Sequence, residues 1–120
     1  MKITKQTNHN ECGICVINSL VEYFYHRSNK IQILNKAKLS SDGLTIYDFE
    51  TLSNEFGLNA ETYQLSWEEF IEYKSSSYMV TLINEGNNLH YIIFKKHRSY
   101  IDVYDSNKGI KSQNVCFFRG

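Results

Sequence analysis

Between Cys12 and His26 the apolar residues Val16, Ile17, Leu20, Val21 and Phe24 recur at spacings near three and four, the stripe of an amphipathic helix. Asn10 or Glu11 stands where that helix begins, so Cys12 falls in or just before its first turn. A shorter helix is expected over Ile31–Lys38. Thr45 with Asp48 reads as a helix cap; Ile46, Phe49, Leu52 and Phe56 line one face, and Gly57 ends the helix. Residues 59–65 read as a short strand. Ser66 followed by Glu69 is a second capping-box pattern, opening a brief helix to about Tyr73.

After Ser75 the pattern changes. "YMVTLIN", "LHYIIFKK", "SYIDVYD" and "VCFF" are β-branched and aromatic runs separated by Gly, Asn, Ser and Lys, which predicts an antiparallel meander. Helices first and strands later give an α+β fold, with N-terminal helices packed on a C-terminal antiparallel sheet. No internal repeat or linker divides residues 1–120, so a single domain is expected.

Composition narrows the function classes. Lys+Arg and Asp+Glu balance at 13 each, so no strong field invites nucleic acid or an acidic membrane surface. No apolar run is long enough to span a bilayer, and the polar N-terminus is not a secretory signal. Three cysteines in 120 residues argue against a disulfide scaffold and for a reducing compartment.

Two of the three cysteines lie in "HNECGIC", His9 to Cys15. A structural zinc site needs a second ligand pair, and the rest of the chain offers Cys116 and scattered histidines. A redox Cys-x-x-Cys fits a helix start but belongs in a βαβ setting, which nothing before Cys12 supplies. The third reading makes Cys12 a nucleophile, its thiolate stabilised by the positive end of the helix. Gly13 would let a substrate backbone approach, and Cys15, beside Val16 and Ile17, is a small core residue. The plain alternative for Cys12 is a buried core thiol, so the nucleophile reading requires a base.

Of the four histidines, His90 alone opens an apolar strand. If the next loop is centred between His97 and Arg98, antiparallel pairing sets His90 opposite Asp105, Ile92 opposite Val103 and Phe94 opposite Ile101. An opposed histidine and aspartate lie within cross-strand reach. Asp102 points to the other face with Tyr100 and Tyr104. A helix-start cysteine with a histidine and an aspartate from a later sheet is the papain-type arrangement. Gln6, six residues before Cys12, could fold its amide back over the thiol as an oxyanion donor.

"KQTNHNECGICVINSLVEYF" resembles the Gln…(Asp/Glu)-Cys-Gly-x-x-Cys/Ala opening of the peptidase domain of peptidase-containing ABC transporters, the bacteriocin-processing family. "LHYIIFKK…IDVYDSNKG" resembles that family's His-aromatic strand and its Asp-Pro turn, with Ser106 in place of the proline. "GLTIYDFETLSNEFGLNAETYQLSWEEF" is similar to its middle segment, and "NVCFFRG" looks like the stretch before its first membrane helix.

The resemblance implies a papain-like cysteine peptidase with Cys12 as nucleophile, His90 as base, Asp105 as orienting acid and Gln6 as oxyanion donor. It implies removal of a double-glycine-type leader from a bacteriocin or similar peptide, coupled to export. The implied partners are that leader and the transporter's own membrane and nucleotide-binding domains, at the cytoplasmic face of the membrane. No cofactor or metal is expected in this domain; ATP and Mg belong to the downstream nucleotide-binding domain. Toxin-exporter relatives that lack the nucleophile bind cargo without cutting it, whereas this sequence keeps all four residues. A catalytically silent leader-binding domain and a stand-alone papain-like peptidase are the alternatives.

Overall fold

Helix α1 (Cys12–Tyr25) forms where the apolar stripe predicts it, with Ile14, Val16, Ile17 and Val21 buried. It stops at His26, whose left-handed conformation (φ 60°) lets its N–H close on the Glu22 carbonyl at 2.9 Å. The computed structural model of the chain describes residues 1–37, 39, 43–74, 77–85 and 88–114, with the backbone alone at 84–85, 88–89 and 113–114. Polar groups strap the N-terminal segment to α1: Thr4 N–H donates to Ser19 Oγ at 2.7 Å, and buried Asn18 donates to Thr4 Oγ1 at 2.9 Å. These bonds hold the chain that leads to Gln6 against the helix.

Helix α2 (Lys30–Lys36) packs on α1 through buried Ile33. Thr45 caps α3 (Ile46–Glu55), its hydroxyl accepting from Asp48 N–H at 3.1 Å, and Phe49 and Leu52 turn inward. The expected second box is complete: Ser66 and Glu69 exchange side-chain-to-backbone bonds at the start of α4 (Trp67–Glu72). Strands β1 (Met79–Glu85), β2 (Asn88–Lys96), β3 (Tyr100–Asp105) and β4 (Gly109–Asn114) form one antiparallel sheet in sequence order. Side-chain alternation divides its faces. Tyr91, Ile93 and Tyr104 join the main core with α1 and α3, while Ile92, Ile101 and Val103 form a smaller cluster. Each fully buried Ile of the main core stabilises the fold by about 1.5–3 kcal/mol.

Two expectations are corrected, and a third falls outside the described residues. Residues 59–65 form no strand; Asn59 has a positive φ of 54°, and the Asn54 side chain brackets Ala60 through both its N–H and its carbonyl. The predicted strand at 115–118, with Cys116, lies outside the described residues, and the observed β4 is the polar segment "GIKSQN" before it. The β2–β3 register is shifted by two residues: Phe94 pairs with Val103 and Lys96 with Ile101. The turn is centred on Arg98–Ser99, because His97 stays in the ladder, donating its N–H to Tyr100 O at 2.8 Å. Its ring stacks on Tyr100 at 4.3 Å and bonds Asp102 at 2.8 Å. A shift of two keeps every side chain on its expected face.

Helix α4 has six residues, none buried, and is too short to stand alone. Lys96 anchors it, its ammonium donating to the carbonyls of Phe70, Ile71 and Tyr73 at 2.5, 3.0 and 2.7 Å while lying 4.8 Å from the Phe70 ring centre. Replacing Lys96 by Met is therefore expected to cost about 1.5–3 kcal/mol, the range for bonds to a charged donor. A lowered urea midpoint at unchanged slope checks this.

Candidate active site

Cys12 is the first residue of α1, with Glu11 at the N-cap position. Glu11 is buried and does not cap the helix with its own carboxylate. That carboxylate accepts from Thr7 Oγ1 at 2.8 Å and Asn8 Nδ2 at 3.0 Å, with Lys30 Nζ at 3.6 Å, and so pins the loop ahead of the helix. The Asn8 bond lowers its pKa against the opposing effect of burial, and Thr7 and Lys30 add to the lowering.

Cys12 is 3% exposed, and its sulfur accepts the Tyr91 N–H at 3.4 Å. It also hydrogen-bonds the His90 side chain and the Gly13 N–H. Burial pushes the thiol pKa up, but His90, Tyr91 and Gly13 outweigh it, and the result lies below the ordinary value near 9.0. His90 shows the complementary shift. Its bond to Cys12 is the main cause, burial opposes it, and Asp105 adds to it, raising the pKa from 6.5 to about 9. The two groups thus favour a thiolate–imidazolium pair between the two titrations, which belong to the pair jointly.

Asp105 Oδ1 lies 2.8 Å from His90 Nε2, leaving Nδ1 as the ring nitrogen that serves the thiol. The strand register, continued one step, puts Asp105 opposite Ile92, so the two side chains meet on the diagonal rather than directly. The same oxygen accepts from Asn107 N–H at 2.8 Å and Lys108 N–H at 3.2 Å, folding the β3–β4 turn around the carboxylate. Burial opposes its ionisation; the Asn107 amide, His90 and Lys108 together overcome that and keep the pKa low.

Gln6 comes to the same corner. Its backbone N–H donates to Ser106 O at 3.1 Å, its side-chain carbonyl accepts from Ser106 Oγ at 2.5 Å, and its amide donates to Asn8 O at 3.3 Å. Cys12, His90 and Asp105 therefore meet at one end of the central strands β2 and β3, and Gln6 is tied to Ser106 beside Asp105. Cys15 is fully buried with its pKa pushed up to about 11 by burial, a protonated core thiol. His9 is exposed. Among the described residues no group of three or more His, Cys, Asp or Glu side chains is arranged to hold a metal ion.

Gly13 has a different role from the expected one. A Cβ there would meet Leu44 Cδ1 at 3.1 Å and Tyr91 Cδ2 at 3.3 Å, so the close approach is made by the protein's own core, not by a substrate. Tyr91 is held in that contact by stacking on Phe49 at 4.5 Å and by its hydroxyl bond to Leu44 O at 3.0 Å. The contributions of the Tyr91 N–H and of Ser106 were missed in the sequence. The first is a backbone group that no side-chain pattern marks; the second was legible only as the neighbour of Asp105.

An open groove of about 1020 Å³ runs from Tyr91 and Phe49 toward α4. Phe24, Leu65 and Tyr73 line it with apolar surface that is 43–53% exposed, together with Trp67, Phe70 and Tyr78.

A helix-start thiol facing a histidine–aspartate pair from an antiparallel sheet, with helices packed on that sheet, defines the papain-like α+β class. The chain belongs to the peptidase C39 family, whose profile matches residues 1–118. It is 34% identical over 111 residues to a putative ABC transporter ATP-binding protein, MG390, of Mycoplasma genitalium. Its identity to the homolog of that protein in Mycoplasma pneumoniae is 31% over the same length. Each match covers 91% of this chain and 16% of the relative, so the chain spans about a sixth of their length. A solved structure, a double glycine motif protease from an AMS/PCAT transporter in complex with the leader peptide, shares the fold. Its TM-score is 0.79 at 19% identity, covering 97% of this chain and 81% of that one. Among the described residues no helix is long and apolar enough to cross a membrane.

Proposed function

We propose that this chain is a cysteine endopeptidase domain that removes a double-glycine-type leader from a bacteriocin or similar secreted peptide, coupled to export by an ABC transporter. The observation that carries the reading is the Cys12–His90–Asp105 line, thiol to imidazole to carboxylate, with the thiol on the first turn of α1. Family membership and the transporter relatives support the reading. On it, the domain sits at the cytoplasmic face of the membrane, joined to membrane and nucleotide-binding domains where ATP and Mg act.

The chemistry follows from the geometry. The Cys12 thiolate attacks the carbonyl carbon of the second glycine, and the carbonyl π electrons move to oxygen. The Gln6 amide and the Cys12 N–H stabilise that oxyanion. Imidazolium His90 gives its Nδ1 proton to the departing amine, the C–N bond breaks, and a thioester remains. Water then attacks the thioester, neutral His90 takes its proton, and the thiolate leaves. Asp105 holds the ring through Nε2 throughout. Small residues before the cut let the peptide bond descend to the thiol of a residue that is nearly buried. The leader's apolar helix face lies in the groove lined by Phe24, Trp67 and Phe70.

Incubation with a synthetic precursor carrying Gly-Gly, followed by mass spectrometry, tests this reading. A single cut after the second glycine is expected, and its loss when that glycine becomes Phe. Cutting elsewhere, or indifference to Phe, contradicts it. Asp105→Ala removes both the ring's orienting partner and the turn's cap, so kcat/KM should fall about 10²–10⁴-fold. Asp105→Asn keeps the turn's acceptor but, because its NH₂ favours the wrong imidazole tautomer, should lose as much, about 10⁴-fold. Steady-state kinetics on the same peptide check both.

A further inference from the structure

We propose that Ser106 is a positioning residue for the oxyanion site, its hydroxyl fixing the Gln6 amide so that one N–H points at the developing oxyanion. The inference rests on the peptidase reading and deepens it.

Ser106 is 1% exposed and lies next to Asp105, in the turn that the Asp105 carboxylate holds from inside. Gln6, 100 residues earlier, bonds it twice: main chain to main chain at 3.1 Å and hydroxyl to side-chain carbonyl at 2.5 Å. The orientation of the amide follows from chemistry. Asn8 O can only accept, so the group facing it at 3.3 Å is the NH₂. The other end is therefore the carbonyl, and the Ser106 hydroxyl donates to it. A primary amide has two protons, and Asn8 takes one, so the second serves the oxyanion. Donation to the carbonyl oxygen also draws electron density from the nitrogen and makes that remaining N–H a stronger donor. One short bond thus links the turn that carries the acid to the loop that carries the oxyanion donor. The fold sets both halves of the site with a single hairpin.

The test compares wild type, Ser106→Ala, Ser106→Thr, Gln6→Ala and Gln6→Ala/Ser106→Ala. Ser106→Ala is expected to lower kcat about tenfold, the value of one neutral hydrogen bond, with KM unchanged. Adding it to Gln6→Ala costs nothing further. Ser106→Thr, which keeps the hydroxyl, restores kcat and serves as the comparison should alanine loosen the turn. Alkylation of Cys12 by iodoacetamide forms no oxyanion, so its rate and pH profile stay at wild-type values. In ¹⁵N spectra the Gln6 side-chain amide pair of Ser106→Ala moves toward free-glutamine shifts and loses protection from exchange. Additive losses, an altered alkylation profile or unmoved Gln6 amide resonances would overturn the proposal. If wild type cuts no peptide, the peptidase reading alone has failed, and the amide resonances still decide whether Ser106 holds Gln6.

Discussion

His90→Ala is expected to reduce kcat/KM by at least about 10⁴-fold, because one substitution removes the thiol's base, the leaving group's acid and the thiolate's counter-ion together. The effect begins with Cys12. In the native chain burial raises its pKa, and the His90 bond is the largest opposing influence. Without the imidazole, the Tyr91 and Gly13 N–H groups and the helix terminus must offset burial alone. The thiolate fraction at neutral pH then drops, and alkylation by iodoacetamide should slow on the order of tenfold at pH 7.

The wild-type pH profile carries the same information. Activity rises as the Cys12 thiol loses its proton, below the ordinary thiol range. It falls as the imidazolium loses its proton near pH 9, because the leaving amine then has no acid. His90→Ala should abolish the alkaline limb and move the rising limb upward with the thiol's own titration. A variant that kept the bell shape would assign the two titrations to other groups.

The helical half of this site was legible in the sequence because amphipathic periodicity and caps are local. Val16, Ile17, Leu20 and Val21 placed the helix start, and with it Cys12, before any tertiary contact was known. The His90–Asp105 meeting depends on a hairpin whose turn residues carry no strong signal. His97 reads as loop but stays in the ladder by stacking on Tyr100 and bonding Asp102. The register therefore came out two residues off, and the pairing survived because an even shift preserves the face. Polar β4 was invisible as a strand, since an exposed edge needs no apolar pattern; Ile110 is 51% exposed. Gly13 differs from its expected role for a related reason. A sequence marks where a Cβ is missing, not which atoms fill the space, and here those atoms belong to Leu44 and Tyr91.

Cys12→Ala should abolish cleavage altogether while leaving the groove between Phe24 and α4 able to hold the leader. Removing the sulfur eliminates the only protein atom in the proposed mechanism that bonds the substrate carbon, so no residual acyl transfer through the site is expected. The substitution should also be mild for the fold. Alanine is a good helix former at the first turn, and the volume lost is that of one sulfur atom.

The most direct measurement is acid-quenched intact-protein mass spectrometry of wild type and Cys12→Ala, mixed with a Gly-Gly precursor and sampled over the first turnover. The account predicts that wild type gains the mass of the leader fragment less one water, lost again as cleaved leader accumulates. Cys12→Ala should show neither adduct nor cleavage. Cleavage by the Cys12→Ala chain, or an adduct located on Cys15, would contradict it.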